Sequence, residues 1–230
     1  MGQNYGPTPR TGESFIGSTP GCTFAIDAFN YTSGSSTIND AVGTNNGSVS
    51  SSVSYGDDGG NKYFSNDGSQ KAIPISTITP GNSTWTLAIW AQAKSSLPGS
   101  SHGQIMSNSS GGPVASSYGM CSNGIAQSNY YTSWNTHYGD TNLVVDTWYH
   151  LLWANGTGGS NTMIMYLNGA ADIDEFNSAT SNGGPINVIG SRWNSGFTGY
   201  IASVQYFAST CLTAAQISNM YNEQKGRFGL

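Results

Sequence analysis

A chain of 230 residues with 31 glycines, 37% hydrophobic and 12% aromatic residues has the length of one large all-β domain. A unit of that size buries roughly 70–75% of its unfolded surface, so its core needs no staples. Charged residues make up 8% of the chain and the net charge is −5, with no Lys/Arg run, which excludes nucleic-acid binding through phosphate contacts and makes long-range steering of a charged partner weak.

In chain order, residues 1–21 hold Pro7, Pro9 and Pro20 with five glycines and few large apolar groups. They read as an extended N-terminal arm that orders on a partner, or as a disordered tail. The opening MGQNYGPTPRTGE lacks the apolar segment of a secretory signal. That predicts a chain intracellular at birth, or one exported by a route its sequence does not display. No apolar run reaches the roughly 18 residues that span a bilayer, so no membrane contact is expected.

CTFAIDAFN (22–30) alternates, with Phe24, Ile26 and Ala28 on one face. Residues 32–60 are rich in Ser, Gly and Asn and predict loops and short edge strands. NKYF (61–64) and KAIPI (71–75) predict strands, the second at an edge or strand end because Pro74 cannot donate to a ladder. TWTLAIWAQAK (84–94) carries Trp85, Leu87 and Ile89 on one face and Trp90 on the other, which predicts a central strand covered on both sides.

QIMS (104–107), SYGMCS (117–122), the aromatic-polar run SNYYTSWNTHYGD (128–140), DTWYHLLWANGTGG (146–159), TMIMYLNGA (162–170), INVIGS (186–191) and GYIASVQYFA (199–208) follow. Asn168-Gly169 is a hairpin signal, because both residues tolerate positive φ. Closely spaced strands with turns and no helices between them predict an antiparallel sandwich or barrel.

The end of the chain differs. Thr213 and Gln216 fit a capping box, and Ala214, Ile217, Met220 and Tyr221 form an apolar stripe. A helix over 213–225 is predicted, laying Ile217 and Tyr221 on a sheet and closing at Gly226 as its C′ residue. Glu223, Lys225 and Arg227 read as ordinary end-of-helix charges. Cys22, Cys121 and Cys211 are not spaced as metal pairs. His150, between Trp148 and Leu152, reads as a packed core histidine.

The order WTLAIWAQA, WYHLLWANG, YLNG, IGSR, FTGYIASVQYF, LTAAQI resembles the laminin-G-like branch of the concanavalin A-like lectin/glucanase superfamily, over residues 22–230. The ending YNEQKGRFGL and the early PRTG resemble laminin-G-like virion structural proteins of tailed bacteriophages, especially those of cyanobacteria and other marine bacteria. The strand AIDAFN and the turn NDAVGTNNG (39–47) depart from that family's usual LDAGN and DxSGNGNNG.

The resemblance implies a two-sheet jelly-roll sandwich with its first and last strands antiparallel neighbours. Cys22 would then lie near Cys211, although a reducing cytoplasm argues against an early bond. It further implies a virion-surface protein made in the host cytoplasm. Such a protein would contact other virion proteins through its arm, and closed homo-oligomers are a common outcome for lattice proteins.

Glucanases of this superfamily place carboxylates at alternate strand positions. The local candidates Asp172, Asp174 and Glu175 do not match their E-x-D-x-E form, so no catalytic residue is assigned. Tyr130, Tyr131, Trp134, His137, Tyr138 and Asp140, with Arg192, Trp193 and Asn194, mix aromatic platforms with polar groups. That mix suits a host glycan, a partner protein or plain packing. No cofactor is required. DDGGN (57–61) and NDG (66–68) offer oxygen ligands to Ca2+, and polar turns without an ion use the same letters.

Overall fold

The structure is a computed structural model. It describes residues 19–58, 60–67, 71–80, 84–94, 103–108, 117–122, 126–131, 136–156, 162–177, 185–190 and 197–230. The predicted arm at 1–21 falls almost wholly outside them.

The first strands are β1 (Phe24–Asp27), β2 (Thr37–Ile38), β3 (Gly47–Ser48), β4 (Ser54–Asp58), β5 (Asn61–Asp67) and β6 (Ala72–Ile78). The middle of the chain gives β7 (Trp85–Ala93), β8 (Gln104–Ser107), β9 (Ser117–Ser122), β10 (Ala126–Tyr131) and β11 (Thr136–Tyr138). Then come β12 (Trp148–Asn155), β13 (Thr162–Leu167), β14 (Ala170–Asn177), β15 (Ile186–Gly190), β16 (Thr198–Ala208) and the helix α1 (Ala214–Gln224).

An eight-stranded sheet runs β14-β13-β12-β7-β16-β5-β4, with β1 also on β16. A six-stranded sheet runs β11-β10-β9-β8-β15-β6, and β2-β3 form a separate pair. Neighbouring strands are antiparallel. This is the predicted antiparallel sandwich with one short C-terminal helix. β6, which contains Pro74, lies at the edge of its sheet as the missing N–H requires. β1 faces β16 with Phe24 opposite Tyr206 and Asp27 opposite Ser203.

Between the sheets lies one large apolar core. Trp85, Leu87 and Ile89 of β7 and Leu151 and Trp153 of β12 meet Ile73, Ile105, Tyr118 and Ile189 of the other sheet. All nine residues of β7 and all eight of β12 are buried. Their outward-facing residues therefore need a cover of their own, and the end of the chain supplies it. Ile217 and Met220 of α1 pack on Ala88, Leu152, Ala154, Tyr166 and Phe207.

The capping box forms as predicted: Thr213 Oγ1 accepts from the Gln216 N–H, and Gln216 Oε1 accepts from the Thr213 N–H. Two expectations are corrected. Ala214 is exposed rather than part of the buried stripe. Gly226 does not end the helix, because the backbone tightens into a 3-10 turn over Lys225–Phe228 and the left-handed stop falls at Gly229, φ 73°. That extra turn carries Arg227 and Phe228 back over the sheet.

Asn168 and Gly169 turn the β13–β14 hairpin with φ of 50° and 82°. A Cβ on Gly169 would sit 2.9 Å from Tyr221 Cβ of the helix. The turn thus needs glycine twice, for its backbone and for the helix above it. We expect Gly169→Ala to cost about 1–2 kcal/mol from the left-handed backbone alone, with a further loss as Tyr221 is displaced. Calorimetric unfolding checks this; an unchanged melting temperature would mean that the tail is not seated on the hairpin.

Candidate binding site

Of the predicted recognition residues, Tyr130 and Tyr131 lie on β10, His137 and Tyr138 on β11, and Asp140 just after it. β10 and β11 form a hairpin at the edge of the six-stranded sheet, with Tyr130 opposite His137 and Asn129 opposite Tyr138. His137 and Tyr138 are half-buried, and Asp140 is exposed just beyond the strand. Burial lowers the pKa of His137, so its imidazole is neutral near pH 7. The chain after β11 is fixed to β14: the Asp140 N–H donates to the Asp172 carbonyl at 2.9 Å, and the Thr141 N–H donates to Asp172 Oδ1 at 3.0 Å.

Trp134, Arg192, Trp193 and Asn194 lie outside the described residues. β15, which leads toward Arg192, is parted from β11 by β8, β9 and β10. The structure therefore brings Tyr130, His137, Tyr138 and Asp140 to one hairpin.

The segment after Asp140 shows two valines to solvent, Val144 and Val145. It is nevertheless tightly held. The Val144 N–H donates to Tyr149 Oη, the Asp146 N–H to the Ala93 carbonyl, and Gln92 Nε2 to the Asp146 carbonyl. Asp146 adopts φ 61° and pairs with Lys94 at 2.6 Å.

Two carboxylates of the stretches read as calcium loops have partners within the chain. Asp57 Oδ1 accepts from the Gly60 N–H at 2.8 Å, closing the β4–β5 hairpin, and Asp67 pairs with Lys71 at 2.8 Å. Asp40, in the NDAVGTNNG turn, is buried and accepts the N–H groups of Ala25, Val42 and Asn45. No group of three or more His, Cys, Asp or Glu side chains that could hold a metal occurs among the described residues.

Asp172 is buried in β14; the side chains of Asp174 and Glu175 lie outside the described residues. Cys22 and Cys211 are free thiols that pack against the same apolar cluster beneath α1. Burial pushes the Cys22 thiol up to about 11 and raises that of Cys211, so both resist ionisation.

The sequence reading missed what the tail does on the eight-stranded sheet. Arg227 is no end-of-helix charge. It is 3% exposed, and its Nη1 donates to Oδ2 of the fully buried Asp27 at 2.7 Å, across 200 residues of chain. Asp27 Oδ1 also accepts the Phe29 N–H at 2.9 Å. Gln224 Oε1 takes the indole N–H of Trp90 at 2.6 Å. Phe228 stacks on Trp90 at 4.0 Å and 17°.

A cavity of about 10 Å³, lined by Asp27, Trp90, Ser203, Gln205, Gln224, Arg227 and Phe228, lies against the pair. Its walls mix polar groups with the rings of Trp90 and Phe228, and it has room for about one water. A lone Asp in an apolar strand and a lone Arg in the closing GRF were the available signal.

His150 belongs to this layer, and the reading of it as a packed histidine holds. It is 1% exposed and stacked on Trp90 at 5.0 Å. Burial alone pushes its pKa down to about 3.

A laminin-G family model, described as concanavalin A-like lectin/glucanases superfamily, matches residues 59–218. The chain belongs to that superfamily. No curated protein matches it. Among solved structures, domain 4 of the extracellular arabinanase AbnA of Geobacillus stearothermophilus, in complex with arabinotriose, aligns with TM-score 0.61 and 15% identity, over 87% of this chain and 98% of that one.

The sialidase of Trypanosoma rangeli aligns with TM-score 0.64 and 13% identity over 89% of this chain, which spans 33% of the sialidase. The receptor-binding domain of botulinum neurotoxin D gives 0.61 and 16%, over 89% and 53%. At these identities the likeness is one of fold.

We expect Arg227→Met to cost about 3–5 kcal/mol, because it strands a buried carboxylate. The double variant Asp27→Asn/Arg227→Met should lose clearly less than the two single changes added together. Urea unfolding of the four proteins checks this; strict additivity would mean that the two side chains do not act as a pair.

Proposed function

We propose that the chain is a non-enzymatic bacteriophage surface protein that decorates the capsid or another exterior lattice of the virion. One observation carries the non-enzymatic part. The described groups that could do acid–base chemistry deep in the sandwich are committed to structure. Asp27 holds Arg227, Asp40 gathers three main-chain amides, and Asp172 anchors the segment after β11. His150 is sealed among aromatic rings.

The virion part is supported by the phage-like ending YNEQKGRFGL. That ending is built into the fold as the cover of its central strands rather than hung on as an appendage. A rigid, weakly charged body suits display on a particle without strong non-specific attraction.

A second reading, a carbohydrate-binding adhesin or fibre component, is favoured by the β10–β11 edge. There the backbone register sets Tyr130 opposite His137, with Tyr138 and Asp140 following along the chain. It draws support from the arabinanase domain solved with arabinotriose and from the toxin receptor-binding domain.

Electron cryo-microscopy of intact particles tests the first reading. Many ordered copies following the capsid symmetry are expected, with residues 1–21 running between subunits. Absence of the chain from the particle would overturn it. A glycan panel tests the second: binding that disappears in Trp134→Ala or His137→Ala, with unfolding unchanged, establishes it, and a blank panel removes it. Turnover of a β-glucan that is lost in Asp174→Asn would overturn the non-enzymatic assignment itself.

A further inference from the structure

The layer beneath the tail contains a titratable group that neither packing nor recognition requires to be one. His150 stands on the outer face of β12 beside the rings of Trp90, at 5.0 Å and 29°, and Tyr221, at 6.2 Å and 23°, which also stack on each other at 5.9 Å. Neither Nδ1 nor Nε2 has a hydrogen-bond partner. A buried imidazole in that state can stay neutral, but it cannot carry a charge without water or an anion at a ring nitrogen.

Among the described residues the neighbours supply no such anion. Trp90, from β7, has no charge. From α1 comes the Tyr221 phenol, and from the start of the 3-10 turn, over that ring at 5.3 Å, the Lys225 ammonium, which would repel an imidazolium. Glu223, the one acid of α1, is exposed. The β13–β14 turn offers the uncharged Asn168, whose Oδ1 already takes the His150 main-chain N–H. From the terminal 3-10 turn, Phe228 lies on Trp90, and Arg227 is bound to Asp27.

We propose that His150 makes the C-terminal segment an acid-released latch: its protonation lifts α1 and the terminal 3-10 turn off the eight-stranded sheet while the sandwich between the two sheets stays closed. The route follows from the layering. Trp90, on which His150 stacks, belongs to a cluster under the tail, and the inter-sheet core is a separate cluster on the opposite face of the same strands. Water reaches the imidazole by removing one short cover, which takes far less than opening the core. Release would uncover Trp90, Ala88, Leu152 and Phe207 and would part Arg227 from Asp27. This inference does not depend on the virion or glycan readings.

The direction in pH follows from linkage. With the tail docked the imidazole titrates at about 3, and with the tail lifted it regains an ordinary value near 6.5. Docking is at full strength above about pH 6.5. It weakens roughly tenfold per pH unit below that, until the docked form also binds a proton.

Amide hydrogen exchange of the full chain, corrected for intrinsic rates, tests this between pH 7 and pH 4.5. Protection over 214–228 should fall roughly a hundredfold, protection of β7 and β12 should hold, and His150→Phe should keep the tail protected throughout. A flat tail, a tail that opens in step with β7, or an equal loss in His150→Phe overturns the proposal. Should His150→Phe fail to fold, the imidazole resonance of the unmodified protein decides. It must titrate together with the loss of tail protection. Titration under a protected tail, or a tail that opens over a neutral ring, overturns the latch.

Discussion

The architecture rests on the two apolar faces of its central strands. β7 and β12 place large side chains alternately inward and outward, and both sets are buried. A second sheet can cover one face only. The other has to be covered by something outside the sandwich, and the last residues of the chain do it. The helix lays Ile217 and Met220 over one half of the exposed strip. The 3-10 turn lays Phe228 over the other, on Trp90. Each parallel aromatic contact contributes on the order of 1 kcal/mol beyond simple burial.

The Asp27–Arg227 pair fixes the position of this third layer. An ion pair buried to this extent is a poor source of stability, since desolvation of both groups offsets most of their attraction. Its value lies in register. In an apolar, nearly chargeless layer a helix could slide by a turn at little cost. A single buried carboxylate that must meet a single guanidinium permits one position. The Trp90–Gln224 bond selects the same one.

Much of this was legible in the sequence, because alternation is a strong signal when the residues are large. WTLAIWAQA announces a doubly covered strand, NG announces the hairpin, and T-x-x-Q announces the helix start. What escaped was long-range pairing. Nothing local distinguishes an Arg that salts a helix end from one that crosses the fold to Asp27. Nor does Gly226 reveal that the turn runs on to Gly229. The predicted recognition residues lie only partly within the described residues. Register sets Tyr130 against His137, while strand order within a sheet is something that spacing along the chain does not encode.

The separation of Asp27 and Arg227 also sets a timetable. The first strand must wait for β16, its hydrogen-bonded partner, and the carboxylate within it must wait for a guanidinium made 200 residues later. Contacts so distant in sequence close slowly, since the loop between them loses its freedom before any contact rewards it. During synthesis the strip carrying Trp90, Leu152 and Phe207 stays bare until the end of the chain has emerged. A ribosome that stalls short of Arg227 therefore leaves a sticky, incomplete sheet, of the kind that chaperones hold and proteases remove.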